Sequence, residues 1–530
     1  MAATGNRRVS ARATGIVGIA ILCSRLLGLV REMVIASLFG ASRNLDAFLT
    51  AFRAPNMLRD LFAEGALSTA FVTTFAKKIQ TEGDQSAWGL ANKVATLTTV
   101  FMSAITLIGV LLAPWLVAAL APGFDPEKTQ LTILLTRVMF PFILMVSLAA
   151  LAMGMLNAKD VFGVPAMASS FFNLGSIIGG VLLAYWIDPH FGSRALVGLA
   201  LGTLIGGFLQ LIVQMPSLSR LHYIFRPDFH WRDEGVRKVL QLMWPAVIAA
   251  SAVQVNVLIN SIFASYLQDG AVSWLNIAFR LMQLPLGIFG VAVATVTLPL
   301  ISRSAAQGNK AEFRGALAHA LRLVMLLTIP SAIGLVILAE PIISLIYQHG
   351  RFTAAATAQT AGALRFYAIG LVGYASVKVL APAFYALDRR TLPMLVSLFS
   401  IGLNAGLNWI LTFHMGLGHR GLALSTSVIA MTNFLLLYIM MRRYAGRLET
   451  GALLGTLAKL LLAGACLGLV CWFGAEFFFP AGVVQRQWWK LLGVLTTIAA
   501  GGSVFFLAAY LLRVAELHDL VEVLKRKVAR

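Results

Sequence analysis

The sequence predicts an all-α polytopic membrane protein. Fourteen transmembrane helices form two six-helix lobes, related by a parallel pseudo-twofold repeat, with two further helices at the C-terminus. Three observations predict it. Of 530 residues, 59% are hydrophobic and only 12% charged, where soluble domains carry roughly 25% charge. Long apolar runs reach the about 20 residues that a spanning helix needs, without the alternation of barrel strands. A faint internal repeat then divides the chain.

In order, the apolar runs lie near 15–40, 45–76, 92–120, 129–157, 162–186, 193–217, 237–267, 272–302, 315–346, 355–387, 391–414, 419–445, 452–478 and 487–513. The basic start is followed by a full-length span, which reads as an uncleaved anchor. Loops such as "APGFDPEKT", "DPHFGSR" and "LGHR" are short. They leave no soluble domain and no room for the catalytic carboxylates of a membrane glycosyltransferase or polymerase, so no enzyme is expected. Cys23, Cys466 and Cys471 all sit in apolar helices, which argues for core residues over a disulfide framework or a metal site.

The net charge of +20 invites a nucleic-acid partner, but its distribution explains it otherwise. One side of the spans, holding both termini, carries 27 Lys and Arg; the other carries seven: Arg43, Lys128, Arg194, Arg351, Arg420, Arg486 and Lys490. That bias follows the positive-inside rule and expects both termini in the cytoplasm. No nucleic acid is needed. Eight basic residues remain inside spans: Arg25, Arg31, Arg53, Arg59, Arg137, Arg280, Arg365 and Lys378.

The repeat aligns "AFRAPNMLRDLF" from Ala51 with "AFRLMQLPLGIF" from Ala278, matching Arg53 with Arg280 and Phe62 with Phe289. Helix 2 then corresponds to helix 8, six helices per repeat, and an even number of spans makes the repeats parallel. The expected division is an N-terminal lobe at 1–218, a basic cytoplasmic linker at 219–236, a second lobe at 237–447, and a C-terminal pair with its tail at 448–530. That pair either caps the bundle or offers a groove to a lipid tail.

A charge at the centre of a spanning helix costs roughly 2.5–3.5 kcal/mol, so the embedded arginines need compensation. At about 100° per residue, Arg25 and Glu32 share a face, as do Arg53, Asn56, Asp60 and Glu64, while Arg31 and Arg59 are offset. Internal pairs, Arg25 with Glu32 and Arg53 with Asp60 or Glu64, explain part of this. They do not absorb everything, because Arg25, Arg31, Arg53, Arg59 and Arg280 face only Glu32, Asp60 and Glu64 at depth. An arginine-lined cavity suits phosphate, which the planar guanidinium binds bidentately. The expectation is a cationic cavity whose missing anion is the substrate. Arg137 and Lys378 either reach that cavity or snorkel, and Arg365 is read as snorkelling.

The run "SRLLGLVREMVIASLFGASRNLDAFLTAFRAPNMLRDLFAEGALSTAFV", residues 24–72, resembles the MurJ (MviN) family, the lipid II flippases of peptidoglycan synthesis. "SWLNIAFRLMQLPLGIFGVA" at 273–292 and "HGRFT" at 349–353 extend the likeness across nearly the whole chain. The family belongs to the multidrug/oligosaccharidyl-lipid/polysaccharide exporter superfamily. The resemblance implies a two-lobe transporter of a bacterial cytoplasmic (inner) membrane, working by alternating access. It would move undecaprenyl-pyrophosphate-linked lipid II from the cytoplasmic to the periplasmic leaflet. Ser24, Arg25, Arg31, Arg59 and Arg280 would bind substrate, with Glu64, Ser273 and Arg53 as further contacts and Asp46 as a gate that pairs with arginines. A groove between helices 13 and 14 would carry the lipid tail. No cofactor or metal is implied; membrane lipids and the cell-wall synthesis machinery are the expected neighbours. Gln283 stands where many relatives have an acid, which weakens the case for a sodium site. A flippase for another undecaprenyl-diphosphate oligosaccharide and a multidrug exporter remain the alternatives.

Overall fold

The computed structural model describes residues 11–480 and 486–519 together with Glu522; the side chains of residues 11–16, 63–66, 249 and 252 also lie outside the described residues. These residues are helical with short connections, and none forms a strand. They divide into two compact units, residues 1–269 and 270–530.

Unit 1 begins with α1 (Ala11–Phe39) and α2 (Arg43–Leu58). A π-helical stretch, Arg59–Leu67, continues α2 into α3 (Ser68–Glu82). Pro55 has no N–H to give the carbonyl of Ala51, and the widened turns follow directly downstream. Then come α4 (Asp84–Leu111), α5 (Ala113–Leu120), α6 (Pro126–Met139), α7 (Phe142–Ala158), α8 (Gly163–Ile187), α9 (Ala195–Ile212), α10 (Met215–Arg220) and α11 (Glu234–Ser265). Asp125 caps α6 by accepting from the backbone N–H of Lys128, with Pro126 at the first helical position. Helices α8 and α9 approach so closely that a Cβ on Gly202 would lie 2.2 Å from Cα of Gly180, so only glycine fits there. One apolar core gathers Phe71, Phe75, Leu90, Leu151, Leu218 and Val236. A second gathers Phe39, Phe48, Leu135, Met139 and Leu196.

The basic linker lies along α4. Tyr223 packs on Trp88 with ring centroids 5.1 Å apart, and the backbone N–H of Arg226 donates to Asn92 Oδ1 at 3.2 Å. The N–H of Asp228 donates to Thr96 Oγ1 at 3.0 Å, and Lys93 Nζ meets Asp233 at 2.6 Å. Ile224, Phe225, Phe229 and Trp231 stay exposed.

Unit 2 runs α12 (Ala271–Pro285), a π-helical stretch Leu286–Gly290, α13 (Val291–Ala306), α14 (Lys310–Ile337), α15 (Ala339–Tyr347), α16 (Ala354–Ile369), α17 (Leu371–Ala386), α18 (Thr391–Trp409) and α19 (His419–Ala445). This is the order of unit 1 about 227 positions later, including a proline just before the π-helical turns. The repeat read from "AFR" is therefore present in the element order. A third π-helical stretch, Ile410–His414, prolongs α18.

Helices α20 (Thr450–Phe478) and α21 (Gln487–Leu511) have no counterpart in unit 1. They are fastened to unit 2 at both ends. At one end Arg322 of α14 holds Glu449, at 2.8 Å, and the buried Glu516. At the other, Lys490 Nζ donates to Ser344 Oγ at 2.8 Å and Gln487 Nε2 to the carbonyl of Leu345 at 2.6 Å.

One expectation is refined. Among the described residues, ten helices are long and apolar enough to cross a membrane, or twelve if two bent pairs each count as one span. Residues 11–39 and 43–82, where the arginines and acids concentrate, are not among them, which is the difference from the fourteen expected. By packing, the seventh expected span belongs to unit 1. Helix α11 opens the second repeat in sequence, yet it packs on α3, α4, α5 and Arg59–Leu67 of unit 1.

Candidate functional site

The charged residues of unit 1 sit on α1, α2 and the turns that follow. Helix α1 is pinned to α8 by Asn173 Nδ2, which donates to the carbonyl of Ser24 at 3.1 Å. Arg31 lies over the Phe172 ring, 5.2 Å from its centroid, and 3.9 Å from Glu32. Burial against an aromatic face and a carboxylate is how an apolar helix tolerates this guanidinium. Arg25 is different. It is exposed, and it makes no ion pair or hydrogen bond among the described residues. The expected pairing of Arg25 with Glu32 is thus replaced by Arg31 with Glu32.

Arg53, expected to pair with Asp60 or Glu64, donates from Nη1 to Ser261 Oγ of α11. Asp60 is held instead by Arg59, whose Nε and Nη2 donate at 3.2 and 2.9 Å. The π-helical register begins at Arg59, so the ideal helical wheel does not describe the turns that carry Asp60. The side chain of Glu64 lies outside the described residues.

Asp46 occupies the first turn of α2, after the cap Ser42, where the helix dipole favours a carboxylate. It is 1% exposed, and its ion-pair partner is a lysine: Lys128 Nζ stands 3.3 Å away, itself 3% exposed. The same ammonium donates to Asp269 at 2.8 Å. Asp46 thus pairs with Lys128, a partner that the sequence reading did not name. Nearby, Arg43 meets Asp125 and Glu127. The Lys128 backbone N–H, seconded by Arg43, holds the Asp125 carboxyl below the usual carboxylate range.

In unit 2, Ser273 is fully buried in the first turn of α12. Arg280, two turns on, is exposed and donates from Nε to Asn276 Oδ1 at 3.3 Å. Arg137 and Arg365 each reach a backbone carbonyl, Val110 and Val336 respectively. Lys378 is exposed, with no ion pair or hydrogen bond among the described residues. Unit 1 also holds an apolar cavity of about 180 Å³ between α4, α11 and the π-helical turns, lined by Phe62, Phe101, Met102, Met243 and Trp244. Its walls suit hydrocarbon and not a diphosphate. Among the described residues no cluster of three His, Cys, Asp or Glu could hold a metal ion.

Lys128 and Asp269 escaped the sequence reading, which counted Lys128 as an outer-loop charge. The signal was present: Asp125-Pro126 is a helix start, which places Lys128 inside the first turn of α6.

Residues 35–493 match the family model described as lipid II flippase MurJ. The chain belongs to the MurJ family. The lipid II flippase MurJ of Burkholderia cenocepacia is 36% identical over 463 residues, covering 86% of this chain and 88% of that protein. The probable lipid II flippase MurJ of Buchnera aphidicola subsp. Acyrthosiphon pisum is 36% identical over 423 residues, covering 79% and 81%. Among solved structures, a lipid II flippase MurJ in an inward closed conformation superposes with a TM-score of 0.73 at 24% identity, covering 92% of this chain and 98% of that one. An inward-facing multidrug transporter of the wider superfamily reaches 0.66 at 15% identity, which is a likeness of fold alone. Membership in the MurJ family makes this multi-pass membrane protein a flippase and not an enzyme.

Proposed function

We propose that this chain carries lipid II from the cytoplasmic to the periplasmic leaflet of a bacterial inner membrane, with both termini in the cytoplasm. The observation that carries the reading is Arg25: an exposed guanidinium part-way along a membrane-length helix, with no protein partner among the described residues. Such a charge is stable at that depth only beside water or an anion. Lipid II supplies the anion as its pyrophosphate.

Ser24, Arg25, Arg31, Arg53, Arg59, Glu64, Ser273 and Arg280 would bind the headgroup. Asp46 is the gate. Alternating exposure of this cationic site spares the headgroup a passage through hydrocarbon, while the prenyl tail stays in lipid along α20 and α21. The functional division follows the repeat, at 1–218, 219–236, 237–447 and 448–530. Contact with the cell-wall synthesis machinery belongs to the same reading.

Depletion of the protein in its host, followed by measuring which leaflet holds lipid II, tests this. Lipid II should accumulate facing the cytoplasm. Unchanged periplasmic delivery would refute the assignment.

A further inference from the structure

Three chain segments meet on one ammonium. Lys128 Nζ of α6 has Asp46 of α2 at 3.3 Å, Asp269 at 2.8 Å, and the Phe124 ring centroid at 4.1 Å. These three satisfy the three donors of an ammonium group. Lys128 and Asp46 are 3% and 1% exposed, whereas the Asp269 side chain is 54% exposed. One turn away, the backbone N–H of Gly123 donates to Ser265 Oγ at 3.0 Å. A Cβ at Gly123 would lie 2.7 Å from the Ser265 carbonyl carbon, so the two backbones touch. Ser265 ends α11, and Asp269 is the last residue of unit 1.

We propose that Lys128 is the hub of a latch that clamps the end of α11 onto α2 and α6, and that Asp269 releases it when this side of the transporter opens. The inference rests on reading Asp46 as a gate and extends it to two residues that act through it. The asymmetry of burial decides which bond yields. Water competes for the half-open Asp269, so its bond is weak. Separating Asp46 from Lys128 would strand a buried carboxylate, which is far more costly. The Asp46–Lys128 pair therefore stays together, and α11 leaves with Asp269. Lys128 is a positioning residue and not a substrate ligand.

The test uses purified full-length protein with Cys23, Cys466 and Cys471 replaced, carrying Ala264→Cys as a reporter. Ala264 is 4% exposed in the last turn of α11, so a maleimide reaches it only when the latch opens. Modification is expected to quicken about tenfold in Asp269→Asn, the change that follows from losing one ion pair, and more in Lys128→Gln, which loses two and strands Asp46. Lys128→Arg keeps the charge and should remain slow. Thermal unfolding of Asp269→Asn should match the parent, which a merely structural role would not predict. Equal rates in all variants, or a Lys128→Arg rate as fast as Lys128→Gln, would overturn the latch. The labelling needs no substrate, so its failure leaves the lipid II reading standing. Unchanged periplasmic delivery of lipid II on depletion would strike that reading instead.

Discussion

Arg137 and Arg365 make the same bond in the two units: each donates from Nε to a valine carbonyl, Val110 or Val336, at 3.3 Å. Both carbonyls lie in the last turn of a helix, α4 and α14, where the backbone lacks intrahelical donors and the dipole favours a cation. Position and partner repeat together, so these arginines serve the helices they cap. Arg137→Ala and Arg365→Ala should each lower stability by about 1 kcal/mol. Lipid II flipping should persist in both. Loss of flipping at full expression in either variant would place that arginine in the transport site.

Arg25 has no partner to lose among the described residues. Arg25→Ala should leave thermal unfolding unchanged while reducing flipping by about tenfold or more, the usual weight of a charged contact to phosphate. Arg25→Lys should recover only part, because a point ammonium does not reproduce the bidentate fork. Flipping assays in vesicles beside melting curves make the comparison, and a melting loss matching the activity loss would contradict it.

Glu516 is 1% exposed and is held by Arg322, which also reaches Glu449. Arg322→Met should cost about 3–5 kcal/mol, since it strands a buried carboxylate. Arg322→Met combined with Glu516→Met should regain most of that loss. Thermal unfolding of the single and double variants decides it; additive losses would mean that the two residues do not act as a pair.

The linker gives a pH prediction. The backbone N–H of His230, and then its ring, hold the Asp228 carboxyl below the usual range. A carboxyl depressed on folding contributes stability above its unfolded pKa of about 3.9, lost as pH falls through the folded value. Trp231 emission, read as the difference from Trp231→Phe, should stay flat from about pH 8 to 5 and change only below about 4. A transition centred near 6 would assign control to histidine.

How much was legible varied with the physics involved. Bilayer-length hydropathy and the "AFR" repeat were readable, because each is a property of local sequence. The ion-pair partners were not. Pro55 announces a fault in the helix, but the π-helical register that hands Asp60 to Arg59 depends on packing against α11 and α7. Ser261, which takes Arg53, stands 208 residues further along the chain, and the polar stripe before it (Gln254, Asn256, Asn260) does not name its partner. Residues 11–39 and 43–82 fall outside the candidate spans because their charges lower the mean hydropathy.

The double fastening of α20 and α21 has a mechanical result. A rod bolted at one end can swing; one bolted at both ends behaves as a rib of the body beneath it. Any motion of α14 and α15 therefore carries α20 and α21 with it.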